Sequence, residues 1–310
     1  MENTLAPYLV MFFMLLALGY LLRRTGAMPE VHIHWLVSLI TTVPLPALVL
    51  SALARAAFDW YLLGVWAVGL IVTLSAMGIA WLVGLLLHLK PGARAVLVVA
   101  GSLSNTGFLG TPLIASLFHH RPDYLAAAVT YDMGVTALLV HTLGAGVLAH
   151  EGTKVLQPHA PVGLQRLVQM PVFWATGVGY LLMIGGMRLP EWLMFSLERV
   201  GQTTVPLALL ATGAMIRLRT LGTRWRLLAL VALYKCVGVP LLMGGVLWLT
   251  SLPEPAERAL LLQSAMPSVM VSALYASLYG TEPEVASSVV VLSVVLALSL
   301  IPLWLYFPLG

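Results

Sequence analysis

The sequence predicts an all-α integral membrane protein of ten transmembrane helices, arranged as two inverted five-helix repeats with broken fourth and ninth helices. Three observations predict this fold: the composition, the spacing of apolar segments and matched motifs in the two halves. Residues are 60% hydrophobic and only 9% charged, with a mean hydropathy of +0.96. A water-facing surface needs far more charge, so the composition excludes a soluble domain.

Ten apolar segments have the length that a bilayer crossing requires, about 20 residues. A polar stretch separates the fifth segment from the sixth. We therefore assign the first repeat to residues 1–149, a cytoplasmic linker to residues 150–167 and the second repeat to residues 168–310. In chain order, the segments cover residues 6–22, 34–54, 61–88, 95–118, 123–149, 168–187, 195–216, 226–250, 257–280 and 284–307.

The loops predict the orientation, because lysine and arginine are enriched on the cytoplasmic side of membrane proteins. With both termini outside the cytoplasm, ten basic residues fall in cytoplasmic loops and four in outer loops. The ten are Arg23, Arg24, Lys90, Arg94, Lys154, Arg166, Arg217, Arg219, Arg224 and Arg226. We expect a multi-pass protein of the cell's inner (plasma) membrane, surrounded by lipid. The net charge of +4 is modest, so no nucleic-acid partner is expected.

Motifs in the two halves match in register. The pairs are Thr41–Leu48 with Thr203–Leu210, Ala93–Val96 with Glu257–Leu260, and Ala115–Phe118 with Ala276–Tyr279, at separations of 162, 164 and 161 residues. The separation changes by three within the fourth segment. Because each half holds an odd number of segments, the second half must be inverted, which is typical of secondary transporters.

The fourth segment contains a stretch, Gly101–Pro112, that is unfavourable for a helix. It holds three glycines and a proline, which cost about 1 and 3 kcal/mol each in a helix interior. Pro112 also leaves the Phe108 carbonyl without its helical partner. Non-helical backbone at membrane depth is tolerated only inside protein or against a polar cavity. The stretch and its counterpart, Gln263–Met270, therefore predict broken helices at a transporter's binding site.

The amino termini of two half-helices would present partial positive charge to this site, which favours a small organic anion. The amide of Asn105 could bind a carboxylate directly, supported by Ser104 and Thr106. The alternative is that Asn105 only caps a half-helix. The predicted substrate-binding residues are Ser104, Asn105, Thr106, Gly107, Met266, Pro267 and Ser268.

Two ionisable residues, Asp132 and Lys235, lie deep in the fifth and eighth segments. Each is about nine residues from the nearer segment end, or about 13 Å at 1.5 Å per residue. Charges at this depth are expensive and indicate function, so both are assigned to ion coupling. They could form a mutual ion pair or a proton-coupling pair. They could also be a static pair, or Lys235 could tether unwound backbone carbonyls.

Other classes of protein fit less well. Tyr131-Asp132 lacks the Gly-x-Gly-Asp partner of an intramembrane aspartyl protease, and Ser104 with His141 is a weak signal for a serine protease. His141 follows Asp132 by nine residues, half a turn away on an α-helix, and is expected to pack. A channel stays an alternative. The lone Cys236 excludes an internal disulfide, and no cofactor or metal is expected.

Several motifs together span nearly the whole chain: Leu18–Gly26, Val43–Ala47, Ser104–Leu113, Lys235 before Pro240, Met266–Ser268 and Tyr279-Gly280. Through them the sequence resembles the auxin efflux carrier family, the bacterial relatives of the plant PIN-FORMED carriers. The resemblance implies crossed broken helices 4 and 9, and a homodimer with a scaffold and a transport domain in each protomer. It also implies elevator-type transport of organic anions such as auxin-like or dicarboxylic acids.

Two departures from the family pattern bear on mechanism. The family's asparagine after Met-Pro-Ser is replaced near Val271, where Ser268 or Ser272 could supply the second polar contact. The third segment carries no carboxylate, so a uniporter is an alternative to a proton-coupled carrier. The sodium-coupled bile acid carriers are the second candidate, although few polar ion ligands are present.

Overall fold

The computed structural model describes residues 2–118, 121–152, 164–215 and 224–309. Within these ranges the chain is helical and, apart from one isolated β-bridge, forms no strand. The all-α prediction is confirmed to that extent. Most of the predicted linker lies outside the described residues, as do Lys154, Arg217 and Arg219.

The α-helices follow one another with short connections. They are α1 (Glu2–Arg24), α2 (Glu30–Thr42), α3 (Pro44–Arg55), α4 (Tyr61–Leu86), α5 (Pro91–Ser102), α6 (Thr111–Leu117), α7 (Pro122–Tyr131), α8 (Ala145–His150), α9 (Leu164–Val168), α10 (Pro171–Ile184), α11 (Glu191–Gln202), α12 (Thr204–Met215), α13 (Trp225–Leu233), α14 (Val239–Leu247), α15 (Glu254–Ser264), α16 (Val271–Tyr279) and α17 (Pro283–Leu305).

Four π-helical turns interrupt or join these helices, at Thr106–Gly110, Asp132–Ala137, Val140–Gly144 and Tyr234–Gly238. In the described part of the chain, five helical stretches are long and apolar enough to cross a membrane. They are Glu30–Arg55, Tyr61–Leu86, Pro122–His150, Trp225–Leu247 and Pro283–Leu305. Their exposed side chains include many large apolar ones, such as Ile71 and Leu82, as lipid contact requires.

The chain divides into two compact units, and each draws on both halves of the sequence. Unit 1 comprises Met1–Asp59, Gly107–Val129 and Val168–Ile216. In it, α1 packs against α12, and α3 packs against α10 and α11. Helices α2 and α3 are separated at Val43, and α11 and α12 at Thr203, so the matched Thr-Thr-Val-Pro motifs both lie at helix breaks.

Unit 2 comprises Trp60–Thr106, Thr130–Leu167 and Arg217–Gly310. Its helix α5 is almost entirely buried and packs against α4, α8 and α17. An arginine near the start of α5 and another near the start of α15 bind neighbouring groups of unit 2. Arg94 at the start of α5 pairs with Glu151 at 2.7 Å, and Arg258 in α15 donates to the carbonyl of Leu305 at 2.7 Å.

The contact between α1 and α12 in unit 1 generates the first prediction. A methyl group at Gly213 would overlap the backbone carbonyl of Leu16. We expect Gly213→Ala to destabilise the protein by about 1–3 kcal/mol through overpacking, seen as a lower unfolding temperature in detergent. Gly245→Ala is the control, because Gly245 in α14 has open space around it. Equal melting of the two variants would contradict this packing.

Candidate functional site

The helix α5 stops in the middle of the fourth apolar segment. It ends at Ser102, and Leu103 is extended, with φ −91° and ψ 131°. The chain becomes helical again at the π-helical turn that starts at Thr106. Pro112 lies in the first turn of α6, where its missing N–H is not needed. We call residues 103–105 the first crossover.

A second interruption lies in the ninth apolar segment. Helix α15 ends at Ser264 and α16 begins at Val271. Between them Pro267 cannot donate a backbone hydrogen bond, which disfavours a continuous helix. We call residues 265–270 the second crossover.

The two crossovers bind each other through their backbones. Ser104 and Ser268 form an isolated antiparallel bridge. The N–H of Asn105 donates to the carbonyl of Pro267 at 2.7 Å, and the N–H of Val269 donates to the carbonyl of Leu103 at 3.0 Å. Each segment therefore supplies one donor and one acceptor. This exchange satisfies backbone groups that a broken helix would otherwise leave unpaired.

Among the described residues of unit 2, the buried side-chain atoms without a hydrogen-bond partner include five from the segments that hold the crossovers and Asp132. They are Ser102 Oγ, Asn105 Nδ2, Asp132 Oδ2, Thr136 Oγ1 and Ser268 Oγ. An unsatisfied buried polar group costs about 1–3 kcal/mol, and native proteins hold few of them. Their concentration in unit 2 is what a site requires when a ligand completes its hydrogen bonds.

Asp132 contacts Thr106, the residue that follows the first crossover. It begins a π-helical turn, is 3% exposed, and its Oδ1 accepts a hydrogen bond from the hydroxyl of Thr106. The neighbouring Tyr131 hydroxyl lies 3.0 Å from Thr73 Oγ1. Asp132 thus has one oxygen bonded to Thr106 and one oxygen without a partner.

Lys235 contacts the end of α15 instead. It lies in the π-helical turn Tyr234–Gly238, is fully buried, and its Nζ donates to the carbonyl of Ser264 at 2.6 Å. The Ser104 hydroxyl donates to the same carbonyl at 3.3 Å. A cation at a helix carboxyl end is favourable. Asp132 and Lys235 have separate partners and form no ion pair, so the tether is the interpretation that the contacts favour.

Of the remaining predicted residues, Met266 and Pro267 lie in the second crossover, and Gly107 follows the first crossover by two residues. Met266 is 1% exposed in the second crossover, and Gly107 lies in the π-helical turn of the fourth segment. Of the two serines considered for the second contact, Ser272 donates to the Val269 carbonyl at 2.6 Å. The hydroxyl of Ser268 has no partner. Ser268 is therefore the better candidate.

Two buried contacts of unit 2 were not predicted. His141 Nδ1 lies 2.6 Å from the Tyr275 hydroxyl, which links the fifth segment to α16. The Ser268 N–H donates to Ser293 Oγ at 3.0 Å. His141 packs as expected, but π-helical turns lie on both sides of residues 138–139, so counting faces at α-helical spacing from Asp132 is not valid.

No cluster of three or more His, Cys, Asp or Glu that could hold a metal ion occurs among the residues that the structure describes. Amide, hydroxyl and carboxyl groups lie around the two crossovers, together with the Lys235 ammonium beside the second.

A family model described as membrane transport protein matches residues 6–305, almost the whole chain. The chain belongs to this family. It is the auxin efflux carrier family, so the resemblance predicted from the sequence is confirmed, and the protein is a membrane transporter by family.

Several curated proteins are similar along nearly their full length. An "Uncharacterized transporter" of Methanothermobacter thermautotrophicus is 28% identical over 299 residues, covering 94% of each chain. A second "Uncharacterized transporter", of Methanocaldococcus jannaschii, is 23% identical, again over 94% of each. A "Putative malonate transporter" of Rhizobium meliloti is 26% identical over 95% of this chain and 93% of its own.

The tether at Lys235 generates a second prediction. Lys235→Met removes the cationic donor from the Ser264 carbonyl, so we expect the second crossover to open more often. Backbone amide exchange of residues 264–269 should rise roughly tenfold, as the loss of one hydrogen bond to a charged group implies. Lys90→Met makes the same change at an exposed residue and should leave this exchange unaltered. Unaltered exchange in Lys235→Met would show that the ammonium does not hold the crossover.

Proposed function

We propose that the protein is a secondary carrier that moves a small organic anion, with a carboxylate as the recognised group. The supporting observation is that Asn105 Nδ2 and Ser268 Oγ, one on each bridged crossover, are buried without partners. Both can donate hydrogen bonds to a carboxylate. The family and the relatives are transporters, which agrees with carriage and gives no support to an intramembrane protease.

The proposed architecture is ten spans in two inverted repeats, with crossed broken helices 4 and 9. The reciprocal hydrogen bonds at Ser104 and Ser268 support it, because exchanging the two segments exchanges the two bonds. We propose that unit 2, which holds both crossovers, is the transport domain of an elevator-type carrier, and that unit 1 is the scaffold. A homodimer in the inner membrane, with both termini outside the cytoplasm, completes the proposal.

The contacts divide the proposed substrate-binding residues into two groups. The hydroxyls of Ser104 and Thr106 are already bonded to Ser264 and Asp132, so we assign them to holding the site. Asn105 and Ser268 are assigned to substrate. Gly107, Met266 and Pro267 contribute backbone rather than side-chain contacts.

A proton on Asp132 is the proposed coupling ion. The carboxyl is buried, and one of its oxygens has no partner, so a charge there is costly unless a cation joins it. The Lys235 ammonium is bonded to the Ser264 carbonyl, so we propose that it holds the end of α15 and that Asp132 alone carries the coupled proton. A buried carboxyl oxygen without a partner could also bind a sodium ion, so the sodium-coupled carrier stays the second candidate. Uniport is the remaining alternative.

The name of the Rhizobium relative refers to malonate, so dicarboxylic acids belong among the substrates to test. The Lys235 ammonium is bonded to the Ser264 carbonyl, just before the second crossover, so we do not assign it to the anion. Recognition of the anion thus rests on neutral donors and on the half-helix amino termini.

The binding assignment gives a third prediction, for a panel of mono- and dicarboxylic acids that includes malonate. Acids that raise the unfolding temperature of the wild type should have little effect on Asn105→Ala. Ser268→Ala should weaken their binding about fivefold, the value of one neutral hydrogen bond. Ser272→Ala is the matched control, because its hydroxyl is bonded locally. If every variant is stabilised as much as the wild type, the crossovers do not bind the acid.

The coupling assignment gives a fourth prediction, measured as uptake into proteoliposomes at several pH values. Asp132→Asn keeps an acceptor for the Thr106 hydroxyl but cannot bind a proton as a carboxylate does. Its uptake should lose the pH dependence of the wild type, while acid binding by thermal shift persists. Replacing sodium by choline should leave wild-type uptake unaltered. Identical pH profiles of wild type and Asp132→Asn exclude coupling at Asp132, and loss of uptake in choline favours the sodium-coupled carrier.

A further inference from the structure

Asp132 and Ser293 occupy equivalent places in the two halves of the chain. They are 161 residues apart, the same separation as between the motifs Ala115–Phe118 and Ala276–Tyr279 that follow the interruptions. Asp132 lies in the fifth apolar segment and Ser293 in the tenth, within α17. Under the proposed inverted repeat they are therefore counterparts.

Each residue accepts a hydrogen bond at the interruption of its own half: Ser293 from the second crossover and Asp132 from the residue that follows the first. Asp132 Oδ1 accepts from the hydroxyl of Thr106, next to the first crossover. Ser293 Oγ accepts from the backbone N–H of Ser268 in the second crossover, at 3.0 Å. Ser293 is fully buried and Asp132 is 3% exposed. At both positions a side chain accepts a hydrogen bond from the interrupted segment, but the side chains differ.

The two positions differ in what remains unsatisfied. The Ser293 hydroxyl accepts from Ser268 and donates to the Val290 carbonyl at 2.9 Å, so its hydrogen bonding is complete. Asp132 keeps Oδ2 buried without a partner. The Ser293 hydroxyl shows that an uncharged acceptor is enough to hold a crossover. An ionisable carboxyl at position 132 is therefore not needed for that purpose.

The groups around the two positions supply no other charge in contact with them. Lys235 donates to the Ser264 carbonyl, the Tyr131 hydroxyl pairs with Thr73, and the Cys236 thiol donates to the Ser293 carbonyl at 3.5 Å. None of these hydrogen bonds reaches Asp132 Oδ2. The unpartnered oxygen is therefore available to a proton.

We propose that Ser293 is the uncharged counterpart of Asp132: each fixes the crossover of its own repeat, and of the two only Asp132 adds a site for a coupled proton. The inference rests on the proposed function, since it names Asp132 as the single coupling position of the pair. It makes Ser293 a positioning residue, acting on substrate through Ser268.

The test uses the full-length protein in detergent without substrate, so its result does not depend on which anion is carried. Amide exchange is measured for residues 266–270 and for residues 103–107. Ser293→Ala should raise exchange of residues 266–270 about fivefold, as expected for one hydrogen bond, and leave residues 103–107 unaltered. Ser293→Thr keeps the hydroxyl and should restore protection. Asp132→Asn keeps an acceptor and should leave both segments protected.

Infrared titration of the protonated carboxyl band gives the second reading. A pH-dependent band should disappear in Asp132→Asn and persist in Ser293→Ala. Unaltered exchange of residues 266–270 in Ser293→Ala overturns the positioning role. Two results overturn the assignment of the proton site to Asp132 alone. One is faster amide exchange of residues 103–107 in Asp132→Asn, and the other is loss of the carboxyl band in Ser293→Ala. If the exchange and infrared results are as expected but no carboxylic acid binds, the proposed substrate is wrong, and the roles of Ser293 and Asp132 are still supported.

Discussion

A polypeptide that breaks a helix at membrane depth must pair its own freed backbone groups, because lipid offers no hydrogen bonds. In unit 2 the two interruptions meet this requirement by pairing with each other. Asn105 donates to Pro267, and Val269 donates to Leu103. Side chains from other helices complete the arrangement: Lys235 binds the last carbonyl of α15, and Ser293 binds the N–H of Ser268. The two crossovers therefore form one hydrogen-bonded unit, in which each segment supplies partners for the backbone groups of the other.

Several ionisable and hydroxyl residues around the two crossovers lie in π-helical turns. Asp132, His141, Lys235 and Thr106 all belong to π-helical turns, a form that is rare overall and frequent at functional sites. A π-helical turn rotates the following residues relative to α-helical spacing. It thereby lets one segment present Asp132 to the first crossover and His141 to Tyr275 of α16.

The sequence predicts some of this structure and not the rest. Composition identifies a membrane protein, and the glycine and proline content of Gly101–Pro112 marks the region where α5 ends. The depth of Asp132 and Lys235 in their segments indicates that they are important, but it does not predict which groups they contact. Side-chain pairing across 26 or 29 residues depends on helix rotation, which π-helical turns alter without a recognisable signal. The division into two units also joins distant parts of the chain, which local periodicity does not encode.

The π-helical turn Thr106–Gly110 also bears on the lengths of the two halves of the chain. The matched motifs are 164 residues apart before the interruption and 161 after it, so the first half holds three residues more in this region. A π-helical turn holds one residue more than an α-helical turn, so Thr106–Gly110 accounts for one of the three; α16, which follows the second crossover, begins without such a turn. A single inserted residue is thereby held within one turn, and the helix that follows keeps its rotation.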